Sequence, residues 1–562
     1  MTTTLYRGGR VRTPGDPFAT ALLVDGDTVA WVGGEIAADA LSADVTVELD
    51  DALLAPAFVD AHVHATSTGL ALTGLDLTGS PSLAAALQAV DRAARRSRGQ
   101  VLLGTGWDDT TWPEGRPPTA AELDRASYGG VVYLARTDVH SAVASSALLA
   151  ACPSARALPG FLADGLLRAE AHSAVRRAAY EAVSPGQRRV AQRATLDRAA
   201  ALGIACVHEC GGPDLGGEQD LLDLLALEHG VERIGYWGEL GGGERGGGEL
   251  GGGEQDGVER ARGQQDRSHQ DGGQQDGVER ARELGAVGAG GDLFVDGALG
   301  SHTAGLHEPY ADDLGRGRCY LDADQVAQHV VACTRAGLQA GFHAIGDAAL
   351  QAVVDGLDAA AERVGDLRAS RHRLEHAELL TSEQVRALAR HGAVASVQPA
   401  FDARWGGTDG LYAARLGEAR ARTMNPYAAL AAAGVALALG SDCPVTPLDP
   451  GGTGRAAVQH RTRGRGLSAR AAFSAHTRGG WRAARRDDEG ELVPGAPATF
   501  AVWQVDGELV VQTPDARVTG WSTDPRAGVA GLPDLDGPDP CCLRTVVRGE
   551  SVHLLDGGKH PA

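Results

Sequence analysis

Eight apolar runs of strand length recur along the middle of this chain, and that recurrence limits its fold more than any other feature. They are LLAPAFVDAHVH (53–64), GIACVHE (203–209), RIGYWGEL (233–240), DLFVDG (292–297), LQAGFHA (338–344), HRLEHAE (372–378), AVASVQP (393–399) and ALALGSD (436–442). Amphipathic helical stretches such as SEQVRALARHG lie between several of them. Strands that alternate with helices pair in parallel through helical crossovers, and eight such units suggest a closed barrel. The expected fold is α/β, a (β/α)8 TIM barrel over residues 56–490.

The flanks read differently. Residues 1–55 and 491–562 are short alternating runs punctuated by Gly and Asp, which predicts one composite β-domain built from both termini. Between the first two strands, residues 65–202 are far more than a bare crossover needs, so they are expected to form an inserted lobe with its own helices (SLAAALQAVDRAARRSRG, VAQRATLDRAAALG) and strands (VLLGTGWDD, VVYLART). Residues 240–275 are Gly-, Glu- and Gln-rich, and the octapeptide QDGVERAR occurs at 255–262 and again at 275–282. With almost no apolar side chains this stretch reads as a flexible low-complexity insert; a solenoid would need an apolar repeat.

Composition narrows the partners. At 43% hydrophobic and 22% charged residues the 562-residue chain can build a large core. Its net charge of -21 argues against nucleic acid and anionic membranes, which would repel it. No apolar run is long enough to span a bilayer, and the first residues lack the apolar core of a secretory signal. The eight cysteines are scattered without zinc-ribbon spacing. A cytoplasmic protein acting on a small-molecule substrate is expected, with a homodimer as the default assembly.

The sharpest chemical feature is His62-Val63-His64 at the end of an apolar strand. Alternate residues on a strand point the same way, and the C-terminal end of a barrel strand opens on the mouth where active sites lie. Two imidazoles there are the start of a divalent metal site. His343, His376 and Asp442 each end a further candidate strand and are also metal-competent.

The order FVDAHVH … DLFVDGALGSHTA … FHAIGD … LEHAE … GSDCPV resembles the amidohydrolase superfamily of metal-dependent barrels. More closely it is similar to the amidohydrolase-3 branch that includes N-substituted formamide deformylase-like proteins, as is GTGWDDTTWPEGRPPTAAELD in the lobe. The resemblance covers nearly the whole chain except about 240–275. It implies a hydrolase of non-peptide carbon–nitrogen bonds using one or two divalent cations, zinc by type. His62 and His64 would bind the more buried metal, and His343 and His376 the second metal or the substrate carbonyl. Asp442 would be both ligand and proton-handling base. In many relatives a carboxylated lysine on the fourth strand bridges two metals. Here that position is Asp292, and the single lysine of the chain is Lys559 in the tail, so a lysine carbamate in the barrel is excluded by composition. Either Asp292 bridges as a shorter carboxylate, or one metal is held by His62, His64 and Asp442 with help from His343 or His376. Asp296 is the reserve candidate.

Weaker candidates surround these. Trp107, Asp138, His140 and His302 could contact substrate, though a tryptophan after a strand more often packs, the Asp138–His140 loop could equally just pack on the barrel, and His302 stands where relatives often carry arginine. Asp108 could help Trp107 wall the pocket. His208 and Glu209 end the second strand and suit supporting roles better than ligation. Cys443 has no partner arrangement that nominates it as a nucleophile, and His476 reads as a packing residue after the barrel. Glu375 and Glu378 flank His376, which keeps open a deaminase on the same barrel. A barrel that has lost catalysis and serves as a binding protein is the other alternative.

Overall fold

The computed structural model describes residues 2–97, 99–136, 141–162, 164–213, 215–241, 277–512, 521–522 and 531–555. At its centre is an eight-stranded parallel sheet. Its strands in chain order are β1 (Phe58–Val63), β2 (Ile204–Gly211), β3 (Glu232–Trp237), β4 (Gly288–Ala289), β5 (Gln339–Ala344), β6 (Arg373–His376), β7 (Val394–Val397) and β8 (Ala436–Leu439). Each pairs in parallel with the next. The ring closes at the mouth: Val63 bridges Cys443, Asp442 N–H donates to the His62 carbonyl at 2.8 Å, and His64 N–H donates to the Cys443 carbonyl at 3.0 Å. Gly440 permits that closure, because a Cβ there would stand 2.6 Å from the His62 nitrogen. The expected (β/α)8 barrel is thus the observed fold.

Two of the predicted strands differ from their sequence reading. LLAPAFVDAHVH is two strands in two sheets: Leu53–Pro56 pairs antiparallel with Phe500–Gln504, and the chain then passes through Ala57 into β1. The fourth strand is not 292–297 but the short Gly288–Ala289. Gly290 and Gly291 end it, since Gly290 runs so close to β5 that a Cβ would sit 2.2 Å from the Gly341 nitrogen, and Gly291 holds a φ of +84°. Asp292 therefore lies just beyond the strand's C-terminal end rather than at its start.

Helices return the chain along the outside. Their ends are written in the sequence: Asp322 with Gln325, and Thr381 with Gln384, form reciprocal capping boxes at the starts of Ala323–Ala336 and Ser382–His391, and left-handed Gly337 and Gly392 stop them. Their apolar faces join the barrel strands in one large core that includes Val330, Phe342, Leu350, Leu374 and Leu388.

The flanking units have sheets of their own. Thr3–Arg7, Ala21–Asp25, Thr28–Gly33 and Val45–Glu48 form a four-stranded sheet. A five-stranded sheet joins Arg10–Val11 and Leu53–Pro56 to Phe500–Gln504, Cys541–Val547 and Glu550–Leu554, so both termini share it. Between β1 and β2, Leu102–Trp107 and Val132–Arg136 lie in the middle of another five-stranded sheet with its own core. Residues 242–276, most of the low-complexity stretch, lie outside the described residues. The last six residues of the second octapeptide copy, 277–282, begin helix Gly277–Glu283, with Val278 and Ala281 buried in the barrel core. Gly277 sits against the Glu239 and Leu240 carbonyls, 2.6 and 2.7 Å from where a Cβ would be, so the two ends of that stretch meet beside β3. Among the described residues no helix is long and apolar enough to cross a membrane.

Candidate metal centre

Six side chains from five strand ends meet at the barrel mouth. His62 is the inward residue near the end of β1 and His64 follows one residue past it; His343 lies in β5, and His376 ends β6. Asp292 comes from the turn after β4, and Asp442 from the segment after β8. Asp292 is at the middle. Its Oδ2 lies 3.4 Å from His62 Nε2 and 3.1 Å from His64 Nε2, and its Oδ1 lies 3.3 Å from His343 Nδ1 and 3.5 Å from His376 Nε2. Asp442 Oδ1 is 3.7 Å from His62 Nε2 and 3.2 Å from His64 Nε2. The four histidines that end the first, fifth and sixth runs and the carboxylates of the fourth and eighth thus share one pocket of donors.

Three of the four imidazoles are held by their other nitrogen. His62 Nδ1 donates to Glu375 Oε2 at 3.0 Å, His376 Nδ1 to Gln398 Oε1 at 2.9 Å, and His343 Nε2 reaches the Gly297 carbonyl at 3.4 Å. An acceptor on one ring nitrogen fixes the proton there and turns the other nitrogen's lone pair inward, which is how ligating histidines are oriented. The inward atoms His62 Nε2, His376 Nε2 and Asp442 Oδ1 are buried with no hydrogen-bond partner. Buried polar atoms left open are costly, and a divalent cation is the group that fits imidazole nitrogen and carboxylate oxygen together. Backbone strain marks the same place: His376 and Asp442 hold φ values of +69° and +53°, rare for residues with side chains.

Electrostatics reflect crowding of opposite charge. Burial works against a charged His64, yet attraction by the Asp292 and Asp442 carboxylates, 3.1 and 3.2 Å from its Nε2, raises it well above the usual histidine range. For Asp292 burial pushes upward, and His62, His343 and His376 overturn that and hold it well below the usual carboxylate range.

Below this pocket a second buried cluster is joined to it through His62. Arg373 Nε and Nη2 donate to the two oxygens of Glu375 at 2.8 and 3.0 Å. Its Nη1 donates to His208 Nδ1 at 2.9 Å, and Nη2 also reaches the Ala61 carbonyl at 2.8 Å and Ser396 Oγ at 3.1 Å. The guanidinium lies 4.2 Å from the Tyr236 ring centre. Burial opposes ionisation of Glu375, but Arg373 and then His62 hold it far below its ordinary value.

The remaining candidates fall around these clusters. Asp296 is not in the donor set; its oxygens accept the backbone N–H groups of Gly305, Ile345 and Gly346, and burial raises it to about 6. His208 belongs to the lower cluster. Glu209 Oε2 accepts the Ala65 N–H at 2.7 Å, and burial lifts it to about 7. Trp107 walls no pocket: it is buried in the lobe's core against Trp112, with Nε1 donating to the Leu134 carbonyl at 2.9 Å. Asp108 pairs with Arg136 at 2.8 Å and caps the short turn after Trp107. Asp138 and His140 lie outside the described residues. His302 is half-buried and faces Asp312 at 3.0 Å and the Tyr310 ring, apart from the donor pocket. Burial holds the Cys443 thiol up at about 11, unfit for a nucleophile at neutral pH. His476 is buried against Phe58. Glu378 is buried with Oε2 unpartnered, and burial raises it to about 7.

Arg373, Cys210 and Gln398 went unnoticed in the sequence. Cys210, with His62 and Glu375, makes a further trio of close potential ligands. A signal was present: Arg373 and Glu375 stand at alternate positions of an apolar strand, as do His208 and Cys210, so both pairs had to face inward together.

Comparison with known proteins gives a consistent result. The chain matches the amidohydrolase family over residues 45–553. It is 28% identical to the putative amidohydrolase YtcJ of Bacillus subtilis (strain 168), over 72% of this chain and 73% of that protein. It is 31% identical to an N-substituted formamide deformylase of Arthrobacter pascens over a shorter stretch, 23% of this chain and 25% of that one. Among solved structures, an uncharacterized metal-dependent hydrolase from Pyrococcus furiosus superposes with a TM-score of 0.70 at 23% identity, covering 89% of this chain and 98% of that one.

Proposed function

Because the chain belongs to the amidohydrolase family, and is thus a hydrolase, we propose that it is a metal-dependent enzyme cleaving a non-peptide carbon–nitrogen bond, such as that of an N-formyl or N-acyl amine. The observation that supports this most is the meeting of His62, His64, Asp292, His343, His376 and Asp442 with three inward atoms left open. Imidazole and carboxylate donors suit zinc. A divalent cation held there supplies Lewis acidity and makes a water acidic enough to ionise near neutral pH.

The chain's own groups supply the rest. Asp442 Oδ1, open and 3.2 Å from His64 Nε2, takes the proton of the attacking water and returns it to the leaving nitrogen, which departs poorly unless protonated. His343 and His376, on the other side of Asp292, turn lone pairs inward and would act through a held cation where the carbonyl oxygen gathers negative charge. Glu375 cannot carry protons for a deaminase-type reaction, because Arg373 and His62 occupy both of its oxygens. The similarity to a formamide deformylase favours N-formyl and N-acyl amines as first substrates.

Purified protein loaded with zinc should hydrolyse one or more members of an N-formyl and N-acyl amine panel, releasing amine and acid. Asp442→Asn should abolish that turnover while the fold is kept. A zinc-loaded protein inactive on the whole panel, or a fully active Asp442→Asn protein, would refute this reading.

A further inference from the structure

The four imidazoles at the mouth are not oriented alike. His62, His343 and His376 each have an acceptor on the outer ring nitrogen. Among the described residues the His64 ring has none; its polar contacts are those of Nε2 with Asp292 and Asp442. A metal ligand needs its donor atom placed to within about 0.2 Å. For His64 that placement comes through the backbone.

His64 N–H donates to the Cys443 carbonyl at 3.0 Å, and the His64 carbonyl accepts from Thr68 N–H at 2.9 Å where helix Ala65–Thr73 begins. The residues that follow are gripped by side chains. Ala65 N–H donates to Glu209 Oε2, and the Ala65 carbonyl accepts from Thr195 Oγ1, both at 2.7 Å. Thr66 Oγ1 donates to Asp220 Oδ1 at 2.7 Å and accepts from Gln192 Nε2 at 3.0 Å. Gln192 Nε2 also donates to the Asp220 carbonyl at 3.0 Å. Thr195 and Gln192 lie on Pro185–Ala201, the last helix of the inserted lobe, and both are fully buried. The two helices meet backbone to backbone, because at Gly69 a Cβ would stand 1.8 Å from the Ala191 carbonyl oxygen.

We infer that the last helix of the inserted lobe positions His64 for metal binding, with Thr195 and Gln192 as the positioning residues. This rests on the metal-dependent reading above and extends it to the lobe. Threonine and glutamine are seldom fully buried, and these two direct their polar atoms to residues 65 and 66, the pair that follows His64. Valine and methionine would fill similar space, so packing alone calls for neither polar group. A shift of the Ala65 peptide moves His64 directly, because the two residues share that peptide, and no partner on the His64 ring opposes the movement.

The test uses the full-length protein titrated with Co2+, whose visible absorption reports the geometry of its ligands. Thr195→Val should bind Co2+ about tenfold more weakly and shift the visible bands. Thr195→Ser keeps the hydroxyl and should bind and absorb like the parent. Gln192→Met should weaken binding in the same direction by less, and it tests the same clasp should Thr195→Val not fold. Thr545→Val is the control, since Thr545 Oγ1 donates to the Ala200 carbonyl at 2.6 Å, the same kind of bond at the C-terminal end of the same helix. It should lower the metal-free melting temperature about as much as Thr195→Val, while affinity and spectrum stay those of the parent. Parent-like affinity and spectrum in Thr195→Val, or an equal loss of affinity in Thr545→Val, would show that the helix only packs and would leave the hydrolase reading standing. A parent that takes up no Co2+ would sink both.

Discussion

Two buried polar clusters share the interior of this barrel, and they are finished in opposite ways. In the lower one, Arg373 is ringed by Glu375, His208, Ser396, the Ala61 carbonyl and the Tyr236 ring, and both Glu375 oxygens are used. In the upper one, His62 Nε2, His376 Nε2 and Asp442 Oδ1 are equally buried and have no partner. His62 belongs to both, one nitrogen in each. Burying charge is costly in either place. The lower cluster offsets the cost internally with pairs, so it acts as scaffold. The upper one leaves valences open and so reads as a site for a ligand. Pairing of the charged groups, more than burial, separates the two roles: in the lower cluster the unpartnered atom is a ring nitrogen of the neutral His208, in the upper one a carboxylate oxygen and two inward imidazole nitrogens.

The largest expected effect tests the open cluster. Stripping the cation with a chelator, or Asp442→Asn, should lower turnover by roughly 10³-fold, and the chelated protein should recover on adding metal back. In the metal-free state Asp442→Asn should melt close to the parent, because Oδ1 has no hydrogen bond to lose. A large drop in metal-free stability would mean that the upper cluster is scaffold too, and the contrast would fail.

The next effect tests the closed cluster. Glu375→Gln leaves Arg373 charged and buried without its counter-ion, which should cost about 3–5 kcal/mol of stability. Adding Arg373→Met should restore most of it, since an apolar pair of similar volume removes both charges. Glu375→Gln should also weaken metal binding about 10–100-fold, because His62 loses the acceptor that sets its orientation. Denaturation and metal-competition titrations read these separately. A Glu375→Gln protein as stable as its parent would show that the lower pairing is not what holds that charge.

The contrast also explains what the sequence could reveal. The upper cluster was legible because each ligand type ends its own apolar run, and strand periodicity with the mouth rule turns those ends into neighbours without any contact being known. Asp292 was placed at the wrong end of its strand, because Gly290 and Gly291 break β4 by a close approach to Gly341 of the neighbouring strand β5, a contact that needs the tertiary pairing to be known. Trp107 stayed open between a substrate contact and packing for a similar reason: its indole is used by the lobe's own core, which only the lobe's folding defines. The low-complexity insert was bounded at 275, and the residues just past it form helix Gly277–Glu283, where Val278 and Ala281 suffice to dock a short polar helix on a large core. Arg373 and Glu375 were visible only as alternation, and that two inward charges in one strand must neutralise each other is an inference that alternation alone licenses.

The smallest effect sharpens the contrast through pH. His208 lies beside Arg373, and burial first and that guanidinium second hold it well below its ordinary 6.5. It stays neutral in the folded protein while the unfolded chain titrates near 6.5, so below that pH the unfolded state binds more protons and stability is lost as pH falls. The slope from one such group approaches about 1.4 kcal/mol per pH unit. His372 and His476, both lowered to about 3 by burial, act in the same direction, so the informative quantity is the difference between variant and parent. His208→Gln keeps an acceptor for Arg373 and removes the titration. In the metal-loaded protein it should be about 1 kcal/mol less stable than the parent at pH 8, and the gap should close or reverse at pH 5. A gap of equal size at both pH values would mean that His208 is not held neutral by Arg373, and that the lower cluster is less fully paired than its geometry indicates.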